Sequence, residues 1–223
     1  MFRRRTPQPA LDELLVDAVR KVETVVCLGS GLDTRPWRLD LPAGLRWIEA
    51  DFPAMLDYKE EMMAGHPPRC RLERLAVDVN DVSGRQELFA AAGSAPALMI
   101  TEGLLMYLAA ETVGALAAES ARMSGVQYWL LELASREMEK RIRMDSYQSI
   151  ERLRAGNHLD GVRMLEVIAR AGWTVVSRRS YITDAWAAAS QRITAMMASR
   201  PEPEPIQPPP PDDPSGVHLF GRS

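Results

Sequence analysis

Val25-Val26-Cys27-Leu28 is an apolar run of strand length, and Gly29-Ser30-Gly31 follows it without a break. A short apolar run bounded by turn residues reads as a strand buried on both faces of a sheet. Glycines at 29 and 31 allow a tight turn and let a ligand approach the backbone closely. Polar residues that can open a helix come next. Leu45-Arg46-Trp47-Ile48-Glu49-Ala50-Asp51 then reads as a second strand ending in acid. A carboxylate about twenty residues past such a turn is placed to hold a pair of ribose hydroxyls. Strand, glycine turn, helix, strand and acid, in that order, point to an α/β fold with a nucleotide-type cofactor site.

Charge separates the candidate cofactors. Dinucleotide sites commonly carry a third glycine three residues after the second and seat a pyrophosphate on the helix N-terminus. Thr34 occupies that third position here, and Asp33 stands in the turn. A carboxylate there repels a pyrophosphate but suits a cofactor bearing an ammonium and a sulfonium. S-adenosyl-L-methionine meets that description, and NAD meets it poorly. Asp33 has a second reading as a helix N-cap accepting backbone N–H bonds, and the residues alone leave both open.

The alternation continues along the chain. Leu11, Leu14, Leu15, Ala18 and Val19 lie at helical spacing within residues 10–21. Pro53 lies early in a helix that Asp51 is placed to cap and that Gly65 with Pro67-Pro68 ends. The pattern predicts strands over 72–77, 97–101 and 128–133, with helices over 85–92 and 110–123 between them. Alternating elements of this kind predict a doubly wound, mostly parallel sheet. Residues 136–158 read as polar and helical, suiting either a solvated face or a lid whose arginines meet an anionic substrate. Leu159, Val162, Leu165 and Ile168 mark an amphipathic helix with Gly172 at its left-handed C-cap, and Trp173-Thr174-Val175-Val176 reads as a sixth strand. Residues 185–199 read as helical. Eight prolines between Pro201 and Pro214 exclude helix and strand there and predict an extended loop before a last strand over 216–222.

The 223 residues suit a single domain. With 27 basic against 30 acidic side chains, nothing electrostatic recommends nucleic acid as a partner. Cys27 and Cys70 give neither metal spacing nor a disulfide framework, and read as reduced thiols. Asp12, Glu13 and Asp17 interrupt the stretch after Arg3-Arg4-Arg5, and no run reaches the roughly eighteen apolar residues of a membrane span. A soluble, cytoplasmic protein without metal is expected.

Val25-Val26-Cys27-Leu28-Gly29-Ser30-Gly31-Leu32-Asp33-Thr34-Arg35, then Glu49-Ala50-Asp51-Phe52-Pro53 with Tyr58-Lys59, then Thr101-Glu102-Gly103-Leu104-Leu105-Met106-Tyr107-Leu108 together resemble the leucine carboxyl methyltransferase family. That family includes bacterial small-molecule and polyketide O-methyltransferases, and the resemblance covers about residues 22–133. It implies a Rossmann-like class I methyltransferase fold: a seven-stranded, mostly parallel sheet with helices on both faces and a small helical cap. The last strand would insert antiparallel between the fifth and sixth, within one domain over 1–223. Cap or lid segments would fall at 136–158 and 181–200, beside the proline-rich loop 201–214.

Ligands of open α/β sheets bind past the carboxyl ends of the strands, and the resemblance agrees with what lies there. Gly29, Ser30 and Gly31 should admit the methionyl part of S-adenosyl-L-methionine, and Asp51 should accept both ribose hydroxyls. Asp78 could accept from the adenine amino group while the Val79 N–H donates to a ring nitrogen; its other reading is a loop closed through Asn80 and Asp81. Glu102 follows an apolar strand, is costly there unless paired, and is expected to face the cofactor's ammonium. The family pairs the cofactor carboxylate with an N-terminal arginine, for which Arg5 is the candidate, although its spacing to Asp12 is longer than expected. Family members place several dozen residues before the glycine turn. A shorter cap here predicts a more open site, or one completed by another subunit in a homo-oligomer, with 201–214 partly replacing the cap.

His66, His158 and His218 lie far apart, and no Ser/His/Asp set or phosphate loop is visible. Methyl transfer is an in-line displacement driven mainly by positioning. A carboxylate acceptor needs no general base, whereas a phenol or alcohol benefits from one. Tyr107 is the candidate beside the acceptor, with a core aromatic as its other reading. The expected activity is O-methylation of a carboxylate or hydroxyl on a small polyketide-like molecule or organic acid. The alternatives are a cofactor-binding regulatory protein without catalysis and an NAD(P)-linked oxidoreductase.

Overall fold

The computed structural model describes residues 9–134, 159–180 and 213–222. α1 (Pro9–Ala18) runs into a 3-10 turn (Val19–Lys21) and buries Leu11, Leu14, Leu15, Ala18 and Val19, the face its spacing predicts. There follow β1 (Thr24–Leu28), α2 (Arg35–Arg38), β2 (Arg46–Asp51), α3 (Pro53–Met62), β3 (Arg71–Ala76), α4 (Val82–Ala92) and β4 (Ala97–Thr101). A 3-10 turn (Leu105–Tyr107), α5 (Ala110–Arg122), β5 (Val126–Leu133), α6 (Gly161–Arg170), β6 (Trp173–Ser180) and β7 (Gly216–Arg222) complete the described elements. The expected lids over 136–158 and 181–200, and the proline-rich residues 201–212, lie outside the described residues.

The seven strands form one sheet in the order β3-β2-β1-β4-β5-β7-β6. Strands β1 to β5 pair in parallel, and β7 runs antiparallel to both β5 and β6, as the resemblance implies. β1 is buried along its whole length because it lies inside the sheet, with β2 on one side and β4 on the other. Leu28 stands level with Ala50 of β2 and Thr101 of β4, so the three chains leave the sheet at the same edge. Strand order reverses between β1 and β4, and such a switch point opens a crevice at the carboxyl edge.

Alternating side chains send β1 into two cores. Val26 and Leu28 join Leu88 and Phe89 of α4, Val113 and Leu116 of α5, and Met164 and Ile168 of α6 on one face. Val25 and Cys27 join Leu11, Leu15 and Val19 of the N-terminal helical segment on the other, with Trp47. Each fully buried Leu or Val contributes about 1.5–3 kcal/mol. Trp129 and Trp173 meet edge to face at 5.9 Å, and their indole N–H groups donate to Thr101 Oγ1 and to the Ala117 carbonyl.

Three elements depart from the sequence pattern. α4 starts at Val82, one turn before the predicted Arg85, with Gly84 inside it. α6 turns Gly161, Met164 and Ile168 inward, with Leu159 buried just before it and Leu165 partly buried against the core; of the predicted face only Val162, 51% exposed, departs, and Met164 takes its place. Gly172 does follow this helix with a left-handed φ of 97°. β6 extends four residues past Val176, because β7 supplies partners as far as Ser180. Among the described residues no helix is long and apolar enough to cross a membrane.

Candidate functional site

The glycine turn, Asp51, the Asp78–Val79 loop and Glu102 all lie at the carboxyl edge of the sheet: the turn past β1, Asp51 at the last position of β2, the loop past β3 and Glu102 past β4. Gly29 and Gly31 have φ of 60° and 43°, a left-handed geometry that disfavours side chains. The turn is held from β2: Gly29 N–H donates to the Ala50 carbonyl at 2.9 Å, and Gly31 N–H donates to Asp51 Oδ2 at 2.7 Å. A Cβ on Gly29 would stand 3.1 Å from Leu104 Cδ1, so the loop after β4 packs directly on the turn. Ser30 Oγ is buried there without a hydrogen-bond partner among the described residues.

Asp51 is not the side-chain cap of α3. Phe52 takes the cap position, Pro53 begins the helix as expected, and Asp51 Oδ1 accepts from Phe52 N–H at 2.8 Å. Its carboxylate therefore joins the turn after β1 to the entry of α3. Each carboxylate oxygen has two acceptor sites, so both retain capacity for a hydroxyl donor.

In the third loop, Asn80 donates to Asp78 Oδ1 through both its backbone N–H and its side-chain amide, at 2.9 Å each. This is the loop-closing role that sequence offered as the alternative, and it leaves Oδ2 without a bond among the described residues. Arg85, 5% exposed, donates to the Val79 and Asn80 carbonyls and pairs with Glu119, which fixes the loop from behind. Gly84 lets α4 approach: a Cβ there would fall 2.2 Å from the Asp78 carbonyl oxygen.

Glu102 meets a cation, but that cation is Arg35. Arg35 Nη2 lies 2.6 Å from Glu102 Oε2, Nη1 lies 2.9 Å from Asp33 Oδ2, and Nε lies 2.8 Å from Asp12 Oδ1. Asp33 Oδ1 also accepts the Arg35 backbone N–H at 2.9 Å, a cap-type bond at the start of α2, while Thr34 makes none with its side chain. Burial alone would push the Arg35 guanidinium down, but the Asp33 and Glu102 charges and the bonds from Asp12 and Glu102 outweigh it and hold it above its ordinary value. Burial likewise works to raise Asp12, yet bonds from Arg38 and Arg35 bring it below the usual carboxylate range. Sequence reasoning missed Arg35 and Arg85 as site residues, though Arg35 stands inside the quoted turn, two residues past an acid.

Under the turn lies a second buried pair, Lys59 Nζ to Glu49 Oε1 at 2.5 Å, with the two residues 1% and 0% exposed. The Lys59 ammonium also stands over the Trp37 ring at 5.7 Å. Tyr107 sits half-buried in the 3-10 turn after β4, near the same edge. Arg5 lies outside the described residues.

A seven-stranded sheet in this order, with a glycine turn clasped by the acid after the neighbouring strand, defines the class I methyltransferase fold. Solved structures agree: an O-methyltransferase family protein from Burkholderia thailandensis superposes with a TM-score of 0.61 at 16% identity, covering 96% of this chain and 56% of that one. The methyltransferase domain of bacterial CtHen1-C gives 0.58 at 11% identity, covering 96% and 97%. The leucine carboxyl methyltransferase family model matches residues 6–121, and the chain belongs to that family. A provisionally named S-adenosyl-L-methionine-dependent methyltransferase of Frankia alni is 38% identical over 147 residues, 61% of this chain and 49% of its own length. Another from Streptomyces avermitilis is 37% identical over 141 residues, 61% and 50% of the two chains. The chain thus spans about half the length of the curated relatives it matches.

Proposed function

We propose that this protein is an S-adenosyl-L-methionine-dependent O-methyltransferase acting on a carboxylate or hydroxyl of a small, polyketide-like molecule or organic acid. The observation that carries the choice of cofactor is the element after the glycine turn. α2 is four residues long, and its first N–H is already bonded to Asp33. A pyrophosphate needs free N–H groups and a helix dipole at that place, and a carboxylate there opposes it. The rest of the edge fits the proposed cofactor. The Asp51 oxygens keep acceptor capacity for ribose hydroxyls, Asp78 Oδ2 can accept an adenine amino group, and buried Ser30 Oγ is a polar atom in want of a partner.

Bound there, the cofactor supplies a methyl group on a sulfonium. The chain's own work is to position and to exclude water. Gly29 and Gly31 let the ligand lie against backbone, Asp51 orients the ribose, and Arg85 and Gly84 hold the adenine loop in place. Tyr107, half-buried in the turn after β4, is the residue we propose to orient an acceptor. The family membership and the names of the relatives support the same reading.

Thermal unfolding in the presence of S-adenosylhomocysteine, NAD and NADP tests it. A ligand at one hundred times its dissociation constant adds about 2.7 kcal/mol, which is a clear shift. S-adenosylhomocysteine should stabilise the protein, and Asp51→Ala should abolish most of that gain. Equal or greater stabilisation by NAD would sink the reading. Binding without methyl transfer to any small acid or phenol would favour the regulatory alternative.

A further inference from the structure

Arg35 is a buried cation at the carboxyl edge, and no part of the activity proposed above assigns it a task. Its side chain is 4% exposed, and three carboxylates from three parts of the chain converge on it: Asp12 of α1, Asp33 of the turn and Glu102 past β4. Each takes a different nitrogen of the guanidinium. Asp12 is itself held from the other side by Arg38, with Nη2 2.9 Å from Oδ1. An acid just past a buried strand is expensive in isolation, and its carboxylate stands wherever its cation holds it. A planar fork with five donors in fixed directions can hold three carboxylates at set angles; an ammonium is a point charge and cannot.

We infer that Arg35 is a positioning residue for the amino-acid end of the cofactor: its fork, anchored to α1 through Asp12, fixes the Glu102 carboxylate and the Asp33 turn in register with each other. The inference rests on the reading of the site as one for S-adenosyl-L-methionine. It divides the site into two parts with separate supports. The adenosyl half depends on Asp51, Asp78 and the Arg85 clamp, and the amino-acid half depends on Arg35. A purely structural Arg35 would not respect that division.

Two ligands separate the halves. S-adenosylhomocysteine carries the amino-acid portion, and 5′-methylthioadenosine lacks it. Calorimetric titration of folded Arg35→Lys should show S-adenosylhomocysteine weakened about 10- to 100-fold, the range for lost bonds to a charged group. Methylthioadenosine should stay within about twofold of wild type. Asp12→Asn, in α1 and joined to Glu102 only through Arg35, should produce a smaller loss in the same ligand only, and it serves as the test if Arg35→Lys does not fold. Equal weakening of both ligands in either variant, full rescue by lysine, or unchanged affinity in Asp12→Asn would overturn the inference. Wild-type protein that binds neither ligand would overturn the cofactor reading itself, and this inference with it.

Discussion

Replacing Lys59 should expose how much the fold depends on an ion pair that no water reaches. Lys59 and Glu49 are 1% and 0% exposed, and their charged atoms stand 2.5 Å apart. The nearest other cation, Arg74 Nε, is 3.5 Å from Glu49 Oε2, and Arg74 also reaches Glu60 at the surface. Lys59→Met keeps the side chain's length and removes its charge, leaving buried Glu49 with Arg74, to which it makes no hydrogen bond. Breaking a buried pair in this way costs about 3–5 kcal/mol, and loss of the contact over Trp37 adds up to about 1–2 kcal/mol. Against a total stability of about 5–15 kcal/mol, that is a large fraction. Urea unfolding followed by the fluorescence of buried Trp47, Trp129 and Trp173 reads it. The double variant Lys59→Met/Glu49→Leu should recover most of the loss, since a matched apolar pair is often neutral or better. The pH dependence has a definite sign. Burial already pushes the Glu49 carboxyl above its ordinary 4.5, against the pull of Lys59 and Arg74. Without Lys59 it rises further, so the folded state then binds a proton that the unfolded state releases. Stability of the single variant should therefore fall as pH rises, and its deficit should shrink toward about pH 5. A single-variant penalty below about 1 kcal/mol, or a double variant no better than the single, would refute the reasoning.

Gly84→Ala should cost about 1–3 kcal/mol or more, because its Cβ would stand 2.2 Å from the Asp78 carbonyl oxygen; calorimetry should also show weaker S-adenosylhomocysteine binding as the Asp78–Val79 loop gives way. Gly44→Ala, with nothing within 4 Å of its Cβ, should stay within about 0.5 kcal/mol and serves as the control. His218 is lowered from 6.5, chiefly by burial, although its Nε2–H bond to the Pro214 carbonyl opposes the shift. Its neutral form favours the fold, so stability is full above about 6.5 and declines as pH falls below it, by at most about 1.4 kcal/mol per pH unit. His218→Gln should flatten the melting profile between about pH 7.5 and 5.5; an unchanged slope would remove His218 as its source.

The strands and most helices were legible because their signals are local. The run from Val25 to Leu28, the glycines after it, Pro53 at a helix start and Gly93 after a helix each act through the backbone of their own residues. The antiparallel last strand needed the family resemblance, since no periodicity reports which neighbours a strand will choose. What remained hidden was pairing. Arg35 and Glu102 are sixty-seven positions apart and meet only because β1 and β4 lie side by side. Lys59 looks like a surface residue of a polar helix, and only the fold shows Glu49 beneath it. The sequence pattern starts that helix only at Arg85, after Gly84, while the reason for a glycine there is a carbonyl six residues earlier. The expectation that Glu102 meets a cation was sound in its electrostatics, and Arg35 is one partner that the sequence did not reveal.

The placement of β7 between β5 and β6 has a consequence for how this protein is made. Among the described residues β6 has no sheet neighbour but β7, and β7 is the last element in the described order. Thirty-six positions separate Ser180 from Gly216. At about 5–20 residues per second of synthesis, that gap lasts roughly 2–7 s. During it β1 to β5 can pair, but the outer edge of β5 stays open, with Trp129 and Leu131 beside it, and an open apolar edge is a template for association with other chains. Growing chains should be most sensitive to chaperone supply in that interval, and the arrival of seven residues closes it.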